Sequence, residues 1–373
     1  MTATVTTPRR QLALLAVVQV LALSLWFSAS AVVPALRADW GLGMQGGIWL
    51  TAIVQIGFAA GAVVSAVLNL ADRIAPPLLI GASALLGALA TVAVALWSRD
   101  ATSAVPLRFL VGFALAGVYP VGMKIVVSWF PRTRGVALGV VIGALTLGSA
   151  LPQLLSAVGP PAWRGVLLAA AGLAVLGALV SVLLVRVGPD ARPSPPLEPR
   201  YVLRMFADRR QRLVNLGYFG HMWELYALWA WLPTYVAASY AAWRAGADGR
   251  GAVGLTSFAA IGLAGAFGCV LAGRLADRHG RALVAGTAML VSGGCAVASV
   301  LVFGAHPVVF VALLLVWGAA VIADSAQFSA ALSEVADPRY VGTALTAQTA
   351  IGFLLSVLTI QVLPLLAPSP ALP

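Results

Sequence analysis

Uninterrupted apolar runs decide what this chain can be. Residues 47–69 and 77–97 contain no charged side chain at all. A bilayer core of about 30 Å takes about 20 helical residues to cross, so runs of this length read as transmembrane helices. Charged residues make up only 9% of the chain and hydrophobic ones 61%, whereas a soluble protein carries roughly a quarter charged residues. The runs are continuously apolar rather than alternating, which excludes a transmembrane β-barrel. The expectation is an all-α integral membrane protein with eleven spans, at 11–34, 47–69, 77–97, 105–129, 135–158, 165–187, 213–238, 252–272, 282–303, 307–330 and 341–366.

The net charge of +11 would suit nucleic acid, but the arginines sit in short loops between apolar runs. Positive residues collect on the cytoplasmic side of membrane proteins, which accounts for them more simply. With the N-terminus in the cytoplasm, sixteen basic residues fall inside and five outside, while Arg108 and Lys124 lie within the fourth span. Arg9 and Arg10 precede an apolar run longer than a signal-peptide core, so that run reads as a retained first span. Cys269 and Cys295 both fall in spans and read as small apolar residues rather than a disulfide or metal pair. The one long cytoplasmic connection, 188–212, holds five prolines and six arginines, and reads as a linker with a short surface helix near 200–210.

The chain also repeats itself. Leu70-Ala71-Asp72-Arg73 after the second span recurs as Leu275-Ala276-Asp277-Arg278 after the eighth. Pro131-Arg132-Thr133-Arg134-Gly135 is echoed by Pro338-Arg339-Tyr340-Val341-Gly342. Two matches at nearly one offset imply two homologous bundles, 1–187 and 213–373, with a site between them near the membrane midplane. By the same offset a twelfth span would begin near residue 370, so it is expected to be missing, through loss or truncation.

These features resemble the major facilitator superfamily of secondary transporters. Gly273-Arg274-Leu275-Ala276-Asp277-Arg278-His279-Gly280-Arg281 is similar to its signature loop, and Leu68 to Pro76 is a degenerate first copy. Arg108-Phe109-Leu110-Val111-Gly112 is similar to its Arg-x-x-x-Gly motif. Asp324-Ser325-Ala326-Gln327-Phe328 and Gly342-Thr343-Ala344-Leu345 loosely resemble the nitrate, nitrite and cyanate porter branch. Nitrate porters carry an arginine in spans two and eight, and those spans are uncharged here. The Gly-Pro pair of drug antiporters is split, as Gly148 to Pro152. The resemblance implies a monomer in a bacterial inner membrane.

Charge at the membrane centre costs at least a few kcal/mol, so each case needs a reason. Glu224 lies in the seventh span with His221 three residues earlier on the same face. A buried carboxylate holds its proton more tightly, and the histidine could share it, which makes a proton-coupling site. The alternative is a hydrogen bond locking the span to a neighbour. Asp324 in span ten is a second titrating or substrate group, or a residue that satisfies backbone near a helix end. The resemblance gives Arg108 a substrate or proton role, against snorkelling to the surface; Lys124 snorkels at least as readily. Trp26, Tyr119, Gln153 and Trp229 are candidate cavity-lining residues. Asp72 and Arg73, with Gly273, Asp277, Arg278, Gly280 and Arg281, are expected to form a cytoplasmic gate, with Asp277 capping the helix that follows it.

No enzyme or metal motif competes, and no cofactor is expected. The expected partners are a small-molecule substrate, protons and the lipid bilayer, with no nucleic acid. The expected function is proton-coupled movement of a small polar or anionic organic solute. Drug efflux is one alternative; a sensor or inactive remnant is another.

Overall fold

The computed structural model describes residues 7–130, 134–158, 162–191, 193 and 197–366, which are helices joined by turns and short connections. Pro131, Arg132 and Thr133 of the repeated loop, and Arg192, Pro195 and Pro196 of the linker, lie outside the described residues. The first half runs α1 (Pro8–Leu23), a 3-10 turn Ser30–Val32, α2 (Val33–Trp40), α3 (Met44–Val67), α4 (Leu70–Arg73), α5 (Pro76–Trp97), α6 (Ala101–Leu115), α7 (Tyr119–Trp129), α8 (Arg134–Val158) and α9 (Trp163–Leu184). The linker forms α10 (Tyr201–Ala207), a surface helix where one was expected. The second half begins with α11 (Arg209–Trp243) and α12 (Arg250–Ser257). A π-helical stretch, Phe258–Ala264, leads from α12 into α13 (Gly265–His279), followed by α14 (Arg281–Leu301), α15 (Pro307–Ala323), α16 (Ser325–Val335) and α17 (Val341–Leu366).

Local chemistry sets the helix starts. Prolines stand in the first turn of α1, α5, α7 and α15, where a missing N–H is harmless. Thr7 and Asp100 cap α1 and α6 by accepting from the amides of Arg10 and Ser103. The Ser103 hydrogen bonds hold the Asp100 carboxyl below the usual carboxylate range. Gly280 sits at φ +88 between α13 and α14, a left-handed turn that a side chain would strain.

Nine helices among the described residues are long and apolar enough to cross a membrane. The two expected spans outside that set are the first and the seventh. α1 stops after 16 residues at Leu23, and the chain turns through 24–29 before resuming. α11 is 35 residues long but carries Gln211, Asn215, His221 and Glu224. The expected fourth and tenth spans are each broken, between Leu115 and Tyr119 and at Asp324, so the two repeats interrupt at corresponding places.

Packing is helix on helix throughout. α3 lies against α6, α5 against α9, and α1 against α8 and α9. Across the two halves, α8 lies against α13 and α3 against α17. Gly112, the glycine of Arg-x-x-x-Gly, explains the first of these contacts. A Cβ there would sit 2.0 Å from the Val54 carbonyl oxygen, so only glycine lets α6 meet α3 backbone to backbone. Replacing Gly112 by Ala should therefore force the helices apart. We expect a loss of about 1–3 kcal/mol, read as a lower thermal midpoint of the purified protein in detergent.

Candidate functional site

The site is built around two helix interruptions and the polar side chains that fill them. Where α1 breaks, the backbone carbonyls of Leu25 and Trp26 lose their regular helical partners. Arg108, fully buried on α6, supplies replacements. Its Nη2 donates to the Trp26 carbonyl at 2.7 Å. Nη1 donates to the Leu25 carbonyl at 3.2 Å and to the Ser28 hydroxyl at 3.1 Å. Nε reaches the Leu50 carbonyl of α3 at 3.4 Å. Snorkelling, the alternative for Arg108, does not hold: the side chain turns inward, because carbonyl dipoles at a broken helix end compensate its charge better than lipid would.

The second interruption, at Asp324, meets α11. His221 Nδ1 lies 2.7 Å from Asp324 Oδ1, and both side chains are almost wholly buried. The atoms touch off the line of an N–H bond, so Oδ1 has no well-directed donor, and His221 Nε2 also has no partner. Rings surround the pair: Phe328 and Tyr218 lie 6.0 Å and 6.1 Å from the imidazole. Below it, Asn215 accepts from the Gln348 amide at 3.1 Å. One turn along α16, Gln327 is buried and its Oε1 accepts from Arg281 at 3.4 Å. Arg281 in turn pairs with Glu334 at 2.6 Å.

The expected sharing of a proton between His221 and Glu224 is corrected. Glu224 points away from His221 and accepts from Ser292 of α14 at 2.5 Å. Residues three apart on a helix are offset by about 60° around its axis. That offset is enough here to send one side chain to α16 and the other to α14. The partner His221 takes is Asp324, 103 positions later, a pairing that helical spacing alone does not reveal.

Aromatic rings fill the junction between the halves. Trp26 contacts Phe58 and Phe353 with centroids 4.9 Å and 5.4 Å apart, and Phe27 contacts Tyr226 and Trp229. Trp26 and Trp229 are thus brought to one layer, with the turn after α1 and helices α3, α11 and α17 contributing. The Trp26 indole N–H and both amide atoms of buried Gln55 have no hydrogen-bond partner. Tyr119 begins α7 beside the break. Gln153 lies further along α8, its carbonyl against α12 at Gly254.

At the arginine-rich face, Asp277 accepts from the Val136 amide at 3.2 Å. Its carboxylate therefore sits on the first turn of α8, across the halves. The expected capping of the following helix, α14, is corrected. Gly273 permits this, since a Cβ there would lie 2.5 Å from the Gly135 carbonyl oxygen. In the degenerate first copy, Asp72 is paired with Lys124 of its own half, and Arg73 is exposed. So Lys124 does not snorkel, because Asp72 lies within reach. Arg278 is exposed and bridges nothing among the described residues; the bridging arginine is Arg281.

The family model of the Major Facilitator Superfamily matches residues 15–360. The chain belongs to this superfamily. It is a multi-pass secondary transporter and not an enzyme. A solved structure of a bacterial homologue of the human lysosomal transporter Spinster, in an inward-facing and unoccupied conformation, is similar in fold. Its TM-score is 0.68 at 17% identity, over 95% of this chain and 81% of that one. No curated protein sequence matched.

Two outcomes follow from this geometry. Arg108→Leu leaves the Trp26 carbonyl without its donor in a dry site, at about 1–3 kcal/mol, and takes one donor each from the Leu25 and Leu50 carbonyls. It should lower the thermal midpoint sharply, with Arg108→Lys falling between. Asp277→Ala removes the side-chain hydrogen bond at one end of the α8–α13 seam. Cys269 is buried in that seam, against Gly143. Its alkylation by a maleimide should be slow in the native protein and several-fold faster in the variant, as followed by mass spectrometry.

Proposed function

We propose that this transporter is proton-coupled, that the His221–Asp324 pair is its proton-handling site, and that it moves a small organic solute by alternating access. The observation that carries the reading is a buried imidazole and carboxylate in contact at 2.7 Å, with the touching Oδ1 lacking a well-directed donor and the other ring nitrogen, Nε2, lacking any partner. Burying such a pair without completing its hydrogen bonds is unfavourable as a structural device. It suits a group that must gain and lose a proton during a cycle. Gln327 of α16, Arg281 of α14 and the exposed Glu334 of α16 continue from Asp324 as a line of polar groups towards the arginine-rich face.

The substrate reading moves away from anions. Arg108 uses its donors on carbonyls and a hydroxyl, and Lys124 is paired with Asp72. A polar, uncharged or zwitterionic solute is therefore favoured, contacted by the unpaired groups of Trp26 and Gln55. The aromatic layer gives apolar drug efflux its support as a second reading, since six rings there would suit such a solute. The likeness of residues 324–328 and 342–345 to the nitrate, nitrite and cyanate porter branch adds nothing to the substrate, because the Asp324 stretch is accounted for by its pairing with His221.

In this reading the bundles are 1–187 and 213–373, joined by 188–212, and the N-terminus and the arginine-rich face are cytoplasmic. The protein works as a monomer in a bacterial inner membrane. The α8–α13 seam acts as the rocking axis, and Asp277 latches its cytoplasmic end.

The test uses proteoliposomes with a trapped pH dye, challenged with a panel of amino acids, sugars, small anions and cationic drugs. Substrate-driven proton flux should appear with one class. It should fall at least tenfold in Asp324→Asn and in His221→Gln, while Glu224→Gln keeps most of it. Full flux in Asp324→Asn would sink the assignment of the pair.

A further inference from the structure

The linker helix carries a feature that transport itself does not use. α10 is pinned to the second half by one face only. Tyr201 and Met205 are buried against the α16–α17 loop in a cluster with Leu332, Ala336 and Ala344. The Tyr201 hydroxyl donates to Gln211 at 3.1 Å and accepts from the Asp337 amide at 3.1 Å. The Glu198 amide donates to the Thr343 hydroxyl at 2.9 Å. The helix is therefore a docked element, and its other face has a fixed aim.

Exposed arginines gather around that face: Arg204 on α10, Arg200 at its N-cap, and Arg209 and Arg210 in the first turn of α11. None has a carboxylate within ion-pair distance among the described residues. Arg212 spans the α10–α11 corner by donating to the Phe206 and Ala207 carbonyls at 3.1 Å and 3.3 Å. The nearby acids are engaged. Asp208 caps α11 by accepting from the Gln211 amide. Hydrogen bonds from Arg339 hold Asp337 below the usual carboxylate range, which also keeps Arg339 out of the patch.

The depth of the patch says what it meets. Leu213, one residue past Arg212, is 54% exposed, as expected where α11 enters lipid. Leu203 on α10 is 78% exposed, beside Arg204. Guanidinium groups at headgroup depth, with a leucine positioned to enter the acyl boundary, match the chemistry of an anionic leaflet. We propose that α10 and the first turn of α11 form a binding surface for anionic phospholipid headgroups. Because α10 is bonded to the start of α17, lipid bound there steadies the end of a helix that packs across the halves on α3. The proposal does not depend on the substrate or the coupling ion.

The experiment is native mass spectrometry of the full chain in detergent, titrated separately with dioleoylphosphatidylglycerol and dioleoylphosphatidylcholine. Each arginine near a charged leaflet contributes about 1 kcal/mol. Replacing Arg204, Arg209 and Arg210 together by Gln should thus weaken phosphatidylglycerol binding roughly 100-fold, with phosphatidylcholine unchanged. Arg244→Gln with Arg250→Gln, on the opposite face, should leave both within about twofold. Leu203→Ser keeps every charge and should weaken phosphatidylglycerol about tenfold, which guards against misfolding of the triple variant. Equal retention of phosphatidylglycerol by the triple variant and by Leu203→Ser would overturn the proposal. So would displacement of the lipid by millimolar inorganic phosphate, which would make the patch a site for a free anion.

Discussion

A bilayer offers no water to a broken helix, and this structure depends on how its breaks are satisfied. Within hydrocarbon, each unpaired backbone group costs several kcal/mol, so irregular backbone survives only where protein groups answer it. The α1 break is answered by Arg108, whose donors spread over Leu25, Trp26, Ser28 and Leu50. That arrangement explains how a guanidinium can be fully buried without a carboxylate. It is held by several carbonyl dipoles, each neutral, which together do the work of one counter-charge. The same bonds tie α1, α3 and α6 into one unit and fix the aromatic layer that Trp26 and Phe27 begin.

The two halves meet in two different ways. Along α8 and α13 the contact is backbone to backbone, with Gly135, Gly139 and Gly143 facing Gly273 and Cys269. Small residues permit close approach and slight rotation. At the other junction, bulky rings from the turn after α1 and from α3, α11 and α17 interdigitate. Separating that layer means parting large side chains, whereas the glycine seam can pivot with little loss of contact. On the proposed alternating-access cycle, the seam is the natural axis and the ring layer the part that opens.

Composition and repetition made the fold legible, and the site only in part. Continuous apolar runs were enough for the helices, and the echo of Leu70–Arg73 at Leu275–Arg278 for the two-bundle plan. Asp324 and His221 could each be picked out as expensive charges in a membrane. Their pairing could not, because it joins helices 103 residues apart and depends on a break at Asp324 that no proline or glycine marks. Glu224 drew attention by standing near His221 in sequence, yet a helix turns between the two and Ser292 lies within its reach. Asp277 was visible as a signature residue, but its acceptor role on α8 needs the fold. Gln55 carried no sequence signal beyond being one amide among many.

The two spans that are shorter or more polar than the other nine are the informative ones. α1 is short because it breaks, and α11 is only weakly apolar because it carries His221, Glu224, Gln211 and Asn215. A purely structural helix in lipid gains nothing from such residues, since each lowers its preference for hydrocarbon. Protein neighbours must therefore shield them, and the structure supplies that shielding. His221 is covered by α16, Asn215 by α17, and the broken end of α1 by α6. α5 and α15, by contrast, carry no charged side chain. Polarity is thus concentrated on the pair of helices that occupy corresponding places in the two halves and touch each other through Phe27, Tyr226 and Trp229. On the proposed function, the solute meets the chain where these helices touch, and the proton pair lies just behind, within the second half. The apolar helices around them serve to keep water and lipid out.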